Sequence, residues 1–330
     1  MKKTTISLLL CLWIGIVFGQ GQQSRVTVDI KPLVADKLQF IVEDEQTTQQ
    51  EIKPDANGLF VFTLNIDQGK FIRVVGVPNN EALLLYLEPG DNLQVKANDT
   101  KNATFSGKVA ENSKVLNELH AFRLKNIENL AGKTDMQTIA PADYYEQSAQ
   151  FFKKDLDFLE ANKARISPGF YQEEKVNLKY AVLMEDIMNP LNYALNTNKI
   201  IKEVLPSGYM DMLPKMGLND ELLKYPAYHQ FLKTGLPIFF RIRYLNEKGE
   251  LEDIMQLALE EKFKINVEMA KQYLSGKTRN TLLFWSLGNL MQVAANVTDY
   301  KALLDQYIAD GASKEEAEQL QKLYNKAAGN

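Results

Sequence analysis

This 330-residue chain contains two histidines, His120 and His229, and one cysteine, Cys11. Histidine is the side chain whose ordinary pKa suits proton transfer near neutrality, so these two are the first candidates for a catalytic base or a metal pair. Their flanks argue otherwise. His120 lies in Asn-Glu-Leu-His-Ala-Phe and His229 in Pro-Ala-Tyr-His-Gln-Phe, neither with a second ligand at i+3 or i+4 to make a helical metal site. Both are expected to be partly exposed helix residues. No G-x-S-x-G or S-x-x-K pattern offers an activated serine. No G-x-G-x-x-G or G-x-x-x-x-G-K-[ST] loop offers a phosphate cradle. The sequence therefore predicts no catalytic residue, no cofactor-binding residue, no metal ligand and no cofactor.

Carboxylates and tyrosines remain. Glu173-Glu174, Glu185-Asp186, Glu260-Glu261 and Glu315-Glu316 are adjacent acids. Neighbours along a helix do not face one another, so the doublets are expected on solvated surface rather than as acid–base dyads. Tyr144, Tyr145, Tyr171, Tyr180, Tyr193, Tyr209, Tyr225 and Tyr228 could bind a sugar or peptide through ring faces and hydroxyls. At helical spacing they are expected to pack between helices instead. The Pro- and Gly-bearing stretch Thr197–Tyr225 is the expected place for a functional surface, because loops carry most sites.

The chain's first residues bound its chemistry further. Lys2 and Lys3 precede an apolar run from about Ile6 to Phe18, and Val17 and Gly19 stand at −3 and −1 to Gln20. That order predicts a cleavable secretory leader over residues 1–19 and a periplasmic location. The run is short for a bilayer span. Leu10 before Cys11 is a poor lipobox, so no lipid anchor is expected. Cys11 would leave with the leader, which excludes disulfides, thiolate nucleophiles and cysteine-held metals from the processed chain. The formal charge of −4 becomes −6 once Lys2 and Lys3 are removed. A mildly acidic chain without a basic block is not expected to bind nucleic acid. No later segment is long and uncharged enough for stable membrane insertion.

The elements that would position these groups fall into two sets. Residues 24–108 alternate with a period of two: Val26, Val28 and Ile30; Leu38, Phe40 and Val42; Phe60, Phe62, Leu64 and Ile66; Leu83, Leu85 and Leu87; Leu93, Val95 and Ala97. With the run Phe71–Val77 and turns at Asp55-Ala56-Asn57-Gly58, Pro78-Asn79-Asn80 and Pro89-Gly90-Asp91, this predicts about eight strands of an antiparallel β-sandwich. Residues 111–330 change to a period of 3.6 and predict an all-α domain, making the fold class α+β. Asn112 or Ser113 is the expected N-cap of its first helix. Pro190 is expected to kink or end the third. Further helices are expected over Tyr228–Leu245, Leu251–Leu274, Thr281–Ala295, Tyr300–Ile308 and Lys314–Ala327. Leu282–Ala295, apolar on most sides, would be the buried central helix.

Several segments carry a family resemblance. They are Asn57-Gly58-Leu59-Phe60-Val61-Phe62, read as a hairpin; Leu85-Tyr86-Leu87-Glu88-Pro89-Gly90-Asp91-Asn92-Leu93-Gln94-Val95; Phe105-Ser106-Gly107 leading through Ala110-Glu111-Asn112; Leu218-Asn219-Asp220-Glu221-Leu222; and Tyr228-His229-Gln230-Phe231-Leu232. In this order they resemble the N-terminal portion of exported thioredoxin-like (AhpC/TSA, redoxin) thiol:disulfide oxidoreductases, a DUF4369-type β-sandwich followed by a helical segment. The resemblance implies a thioredoxin-like protein or domain as partner. In that family the C-x-x-C belongs to a following redoxin domain, and no residue here inherits its role. Two functions follow as expectations. One is a non-catalytic accessory module that positions such a partner or binds a small ligand, with Lys314–Ala327 near the docking surface. The other is an envelope enzyme using carboxylates or tyrosines in an interdomain cleft.

Overall fold

The computed structural model describes residues 21–31, 35–43, 48–77, 82–97, 103–131 and 139–329. The expected leader, residues 1–19, and the expected turn Pro78-Asn79-Asn80 lie outside the described residues. The chain divides into two compact units, residues 1–42 with 49–113 and residues 43–48 with 114–330.

The first unit holds two four-stranded sheets. Strands β1 (Gln22–Asp29), β4 (Phe60–Ile66), β7 (Asn92–Lys96) and β8 (Thr104–Ser106) form one, in the order β4-β1-β7-β8. Strands β2 (Leu38–Glu43), β3 (Thr48–Ile52), β5 (Lys70–Val75) and β6 (Leu83–Leu87) form the other, in the order β3-β2-β5-β6. The alternating residues are buried as the period requires: Val26, Val28, Leu38, Phe40, Leu85 and Leu93 are all inaccessible. Phe40 of one sheet stacks on Phe62 of the other, with centroids 4.9 Å apart. Strand β1 pairs antiparallel with β4, β5 with β6 and β7 with β8, while β1 and β7 run parallel, Val26 opposite Leu93.

That topology corrects the hairpin expectation. The Asn57-Gly58 turn joins β3 to β4, which belong to different sheets. Only Gly58 takes a positive φ, +75°, and Asp55 organises the turn by accepting from the Asn57 and Leu59 amides at 2.8 and 3.0 Å. The Pro89-Gly90-Asp91 turn likewise changes sheets, from β6 to β7. Ser24 Oγ of β1 clasps it, donating to the Glu88 carbonyl at 2.8 Å and accepting from the Gly90 amide at 3.0 Å.

Helix α1 (Ala110–Ala131) begins before the expected cap. Asn112 and Ser113 lie inside it, and the Ser113 hydroxyl instead accepts from the Tyr86 amide of β6 at 3.0 Å. The second unit continues with α2 (Pro141–Ala161), α3 (Pro168–Thr197), α4 (Ile201–Val204), α5 (Pro226–Lys233), α6 (Gly235–Lys248), α7 (Leu259–Tyr273), α8 (Gly276–Val293), α9 (Lys301–Ala309) and α10 (Lys314–Ala327). The expected helix Tyr228–Leu245 is two helices broken at Thr234. Leu251–Leu274 is a 3₁₀ turn followed by α7.

Aromatic packing ties α3 to α5, with the Tyr180 ring centroid 4.9 Å from Tyr228 and 5.0 Å from Phe231. Helix α8 starts five residues earlier than its apolar pattern. The Asp220 carboxylate caps it, accepting from the Lys277 and Thr278 amides at 2.9 and 2.8 Å. Gly276 has φ +62°, and a β-carbon there would lie 2.4 Å from Asp220 Oδ2, so glycine is required. Helix α8 is one-sided rather than buried all round: Leu283, Leu287 and Leu290 face the core, while Trp285 is 38 % exposed.

Candidate functional site

The groups singled out by type fall into different places. His120 is exposed. His229 is buried rather than partly exposed, and its Nε2 bonds the Leu223 carbonyl across the start of α5. Among the described residues no three metal-capable side chains come together.

The doublets are not uniformly surface. Glu173 and Glu174 are buried, which corrects the solvated reading. The Arg123 guanidinium of α1 bonds Asp155 of α2 at 2.7 Å and reaches Glu174 of α3 at 3.5 Å, and Asn177 donates to Glu174 at 3.2 Å. Burial pushes the Glu174 and Asp155 carboxyls up, and Arg123 opposes it. This cluster ties three helices together. Glu260 is a receiver of backbone and hydroxyl donors: Ala295 N at 3.0 Å and the Tyr300 hydroxyl, with Lys264 3.1 Å away. The Tyr300 hydroxyl, the Ala295 amide and Lys264 hold its carboxyl down at about 2. Glu316 closes a capping box with Ser313 at the start of α10.

The Thr197–Tyr225 stretch is mixed, with a few buried anchors between exposed and half-buried residues. Ile201, Val204, Tyr209, Met212 and Met216 are buried there, and Asp220 serves as the α8 cap.

One region does combine perturbed and unpartnered polar groups: the facing turns of α2 and α3 around Pro190. Helix α3 continues through Pro190 to Thr197 instead of ending there. Proline has no amide hydrogen, so the carbonyl of Asp186, four residues earlier, loses its helical donor. The Tyr145 hydroxyl of α2 supplies the replacement, donating to the Asp186 carbonyl at 2.5 Å. The Tyr209 hydroxyl, from the following 3₁₀ turn, donates to the next carbonyl, Ile187, at 3.1 Å. An unsatisfied buried carbonyl costs about 1–3 kcal/mol, and Tyr145 avoids that cost at Asp186.

The Asp186 side chain sits beside them. Burial pushes its carboxyl up to about 6, a Ser148 hydrogen bond opposes the rise, and the Glu185 charge adds to it. Tyr144 Oη lies 3.5 Å from Glu185 Oε2. Burial, with the neighbouring acids, raises Tyr144 and Tyr145 far above the ordinary tyrosine value, so both stay neutral donors at any physiological pH. Three buried acceptor atoms here have no hydrogen-bond partner: Asp186 Oδ1, Gln147 Oε1 and Asn189 Oδ1. The arrangement can exchange a proton at Asp186 near pH 6 and can receive donors. It cannot supply a tyrosinate. The sequence pointed to Tyr145 and Asp186 separately. The signal that joins them is the interior Pro190, which frees the carbonyl four residues back. Gln147, Ser148 and Asn189 carry no such signal.

Among the described residues no helix is long and apolar enough to cross a membrane. Comparison with known proteins finds no family model that matches the chain and no similar curated protein.

Proposed function

We propose that the chain is an exported, non-catalytic accessory module of the cell envelope. On this reading it belongs with the N-terminal sandwich and helical region of exported thioredoxin-like oxidoreductases and positions a thioredoxin-like protein or domain. Residues 1–19 act as its leader and direct it to the periplasm. The observation that carries the non-catalytic part is how the reactive-looking groups are used. Tyr145 and Tyr209 satisfy carbonyls at the proline turn, Asp220 caps a helix, and Glu260 and Glu316 receive backbone amides. The single thiol, Cys11, leaves with the leader. Without a thiolate no disulfide exchange can start.

The outer face of α10 is the proposed docking surface. Glu318, Gln321, Lys322, Asn325 and Lys326 line a shallow open depression there, while Leu320 and Tyr324 pack inward. Binding through it would be polar and sensitive to salt.

The test of the inert half is a disulfide-reduction assay on the processed chain. Turnover equal to the blank is expected; turnover above it defeats the reading. A second reading, an enzyme working through carboxylates or tyrosines, is favoured by the raised Asp186 carboxyl alone. It requires an activity that Asp186→Asn abolishes.

A further inference from the structure

We propose that Arg123, Asp155 and Glu174 form a pH-sensitive clasp, which holds α3 to α1 and α2 while one of its two acids keeps a proton and loosens when that proton leaves. The proposal stands whether or not a thioredoxin-like partner binds.

One guanidinium is shared between two acids on two helices. Arg123 Nε of α1 lies 2.7 Å from Asp155 Oδ2 of α2, and Arg123 Nη2 lies 3.5 Å from Glu174 Oε1 of α3. Asn177, about one turn along α3, donates to Glu174 Oε2 at 3.2 Å. Beside the cluster the Phe122 ring of α1 stacks on Phe158 of α2, with centroids 5.2 Å apart. Helices α1 and α2 therefore keep an apolar contact whatever the charge, and α3 joins the cluster through Glu174.

Charge counting then calls for a proton. Among the described residues Arg123 is the one cation bonded to either acid. The charged and titratable groups that act on Glu174 are Arg123, Asp155 and, at the end of β2, Glu43, which adds negative potential. Two carboxylates and one guanidinium leave one negative charge in excess when both acids are ionised, and none when one is protonated. Burial disfavours the excess charge. Distance and burial decide which acid keeps the proton. Asp155 has the shorter bond to Arg123, and its side chain is 14 % exposed against 4 % for Glu174. Asp155 is the carboxylate partner of Arg123, and Glu174 is the neutral acid.

Once Glu174 ionises, the guanidinium it faces is already bonded to Asp155, so states that open the Glu174 turn to water gain population. Burial raises the folded carboxyl above its unfolded value. The clasp is therefore complete at low pH and is lost as pH rises through the folded value.

The Glu174 carboxyl of the processed protein is followed by carbon-13 NMR from about pH 4 to about pH 9. Amide hydrogen exchange, corrected for its intrinsic pH dependence, is read in the turns around Arg123, Asp155 and Glu174 of the same samples. Glu174 is expected to titrate above 4.5, and protection in those turns to fall about tenfold for each unit by which it does so. In Glu174→Gln, which cannot ionise, that fall should be absent. A Glu174 carboxyl that titrates at or below 4.5 overturns the proposal on the wild type alone. Protection that is unchanged through the titration also overturns it, as does an equal fall in Glu174→Gln.

Discussion

Asp186→Asn should stabilise the helical unit at neutral pH, and the size follows from the site. Burial lifts the Asp186 carboxyl from 3.8 to about 6. Two pKa units correspond to about 3 kcal/mol of unfavourable free energy in the ionised folded state. The folded pKa is raised, so the folded chain binds more protons than the unfolded chain between about pH 4 and 6. Wild-type stability therefore falls as pH rises through that window and stays lower above it. Asparagine keeps the shape and an acceptor for Ser148 but carries no charge. The variant should match wild type at pH 4 and exceed it by about 2–3 kcal/mol at pH 8. For a helical unit of this size, that is a midpoint shift of about 4–12 °C. Urea unfolding followed by far-UV circular dichroism, at several pH values, measures the difference. No gain at pH 8, or a gain that is just as large at pH 4, refutes the reasoning.

Tyr145→Phe should cost about 1–3 kcal/mol, because it strands the Asp186 carbonyl that Pro190 leaves without a donor. In a Pro190→Ala background the restored amide serves that carbonyl, so the same substitution should cost less; equal costs in urea unfolding of both backgrounds would contradict the account of the proline turn. Asp220→Ala should lose about 1–2 kcal/mol by uncapping α8. The Lys277 and Thr278 amides lower the Asp220 carboxyl, so its contribution is complete above the unfolded pKa and fades as pH falls through the lower folded value. A variant deficit that does not shrink at low pH would show that the charge is immaterial. Intact mass of periplasmic protein should correspond to a chain starting at Gln20; a species that retains residues 1–19, or carries lipid on Cys11, removes the leader.

The two periods separate strand from helix in the sequence because each element buries one face. Val26, Val28, Phe60 and Phe62 show this in the sandwich, and Leu320 with Tyr324 shows it in α10. Strand β3 (Thr-Gln-Gln-Glu-Ile) is exposed along most of its length and carries no alternation to read. Sheet membership was equally hidden. The Asn57-Gly58 and Pro89-Gly90 turns have hairpin chemistry, yet both cross between sheets, because local turn residues set a bend and not the strand's destination.

Helix ends were misplaced where a distant residue fixes them. Asp220 starts α8 before its apolar pattern begins, and the Ser113 hydroxyl is held by β6 rather than by a helix amide. In the candidate site, adjacency placed the doublets on solvated surface, which fits Glu185 but not Asp186, whose carboxyl burial pushes up. It could not show that Glu173 and Glu174 are buried, or that Arg123, 51 residues away in sequence, reaches Glu174.

In the proposed function, the processed chain positions a thioredoxin-like partner through the outer face of α10. Truncation before Ser313 is a poor test, because it would strip Leu320 and Tyr324 from the core. Charge reversal at Lys322 and Lys326, both exposed, leaves that packing intact. Isothermal titration of a thioredoxin-like protein from the same envelope into wild type and into the Lys322→Glu, Lys326→Glu variant tests the claim directly. The account predicts saturable binding to wild type and binding at least about tenfold weaker to the variant, a loss of about 1.4 kcal/mol. No binding to wild type, or equal affinity for a folded variant, would contradict it.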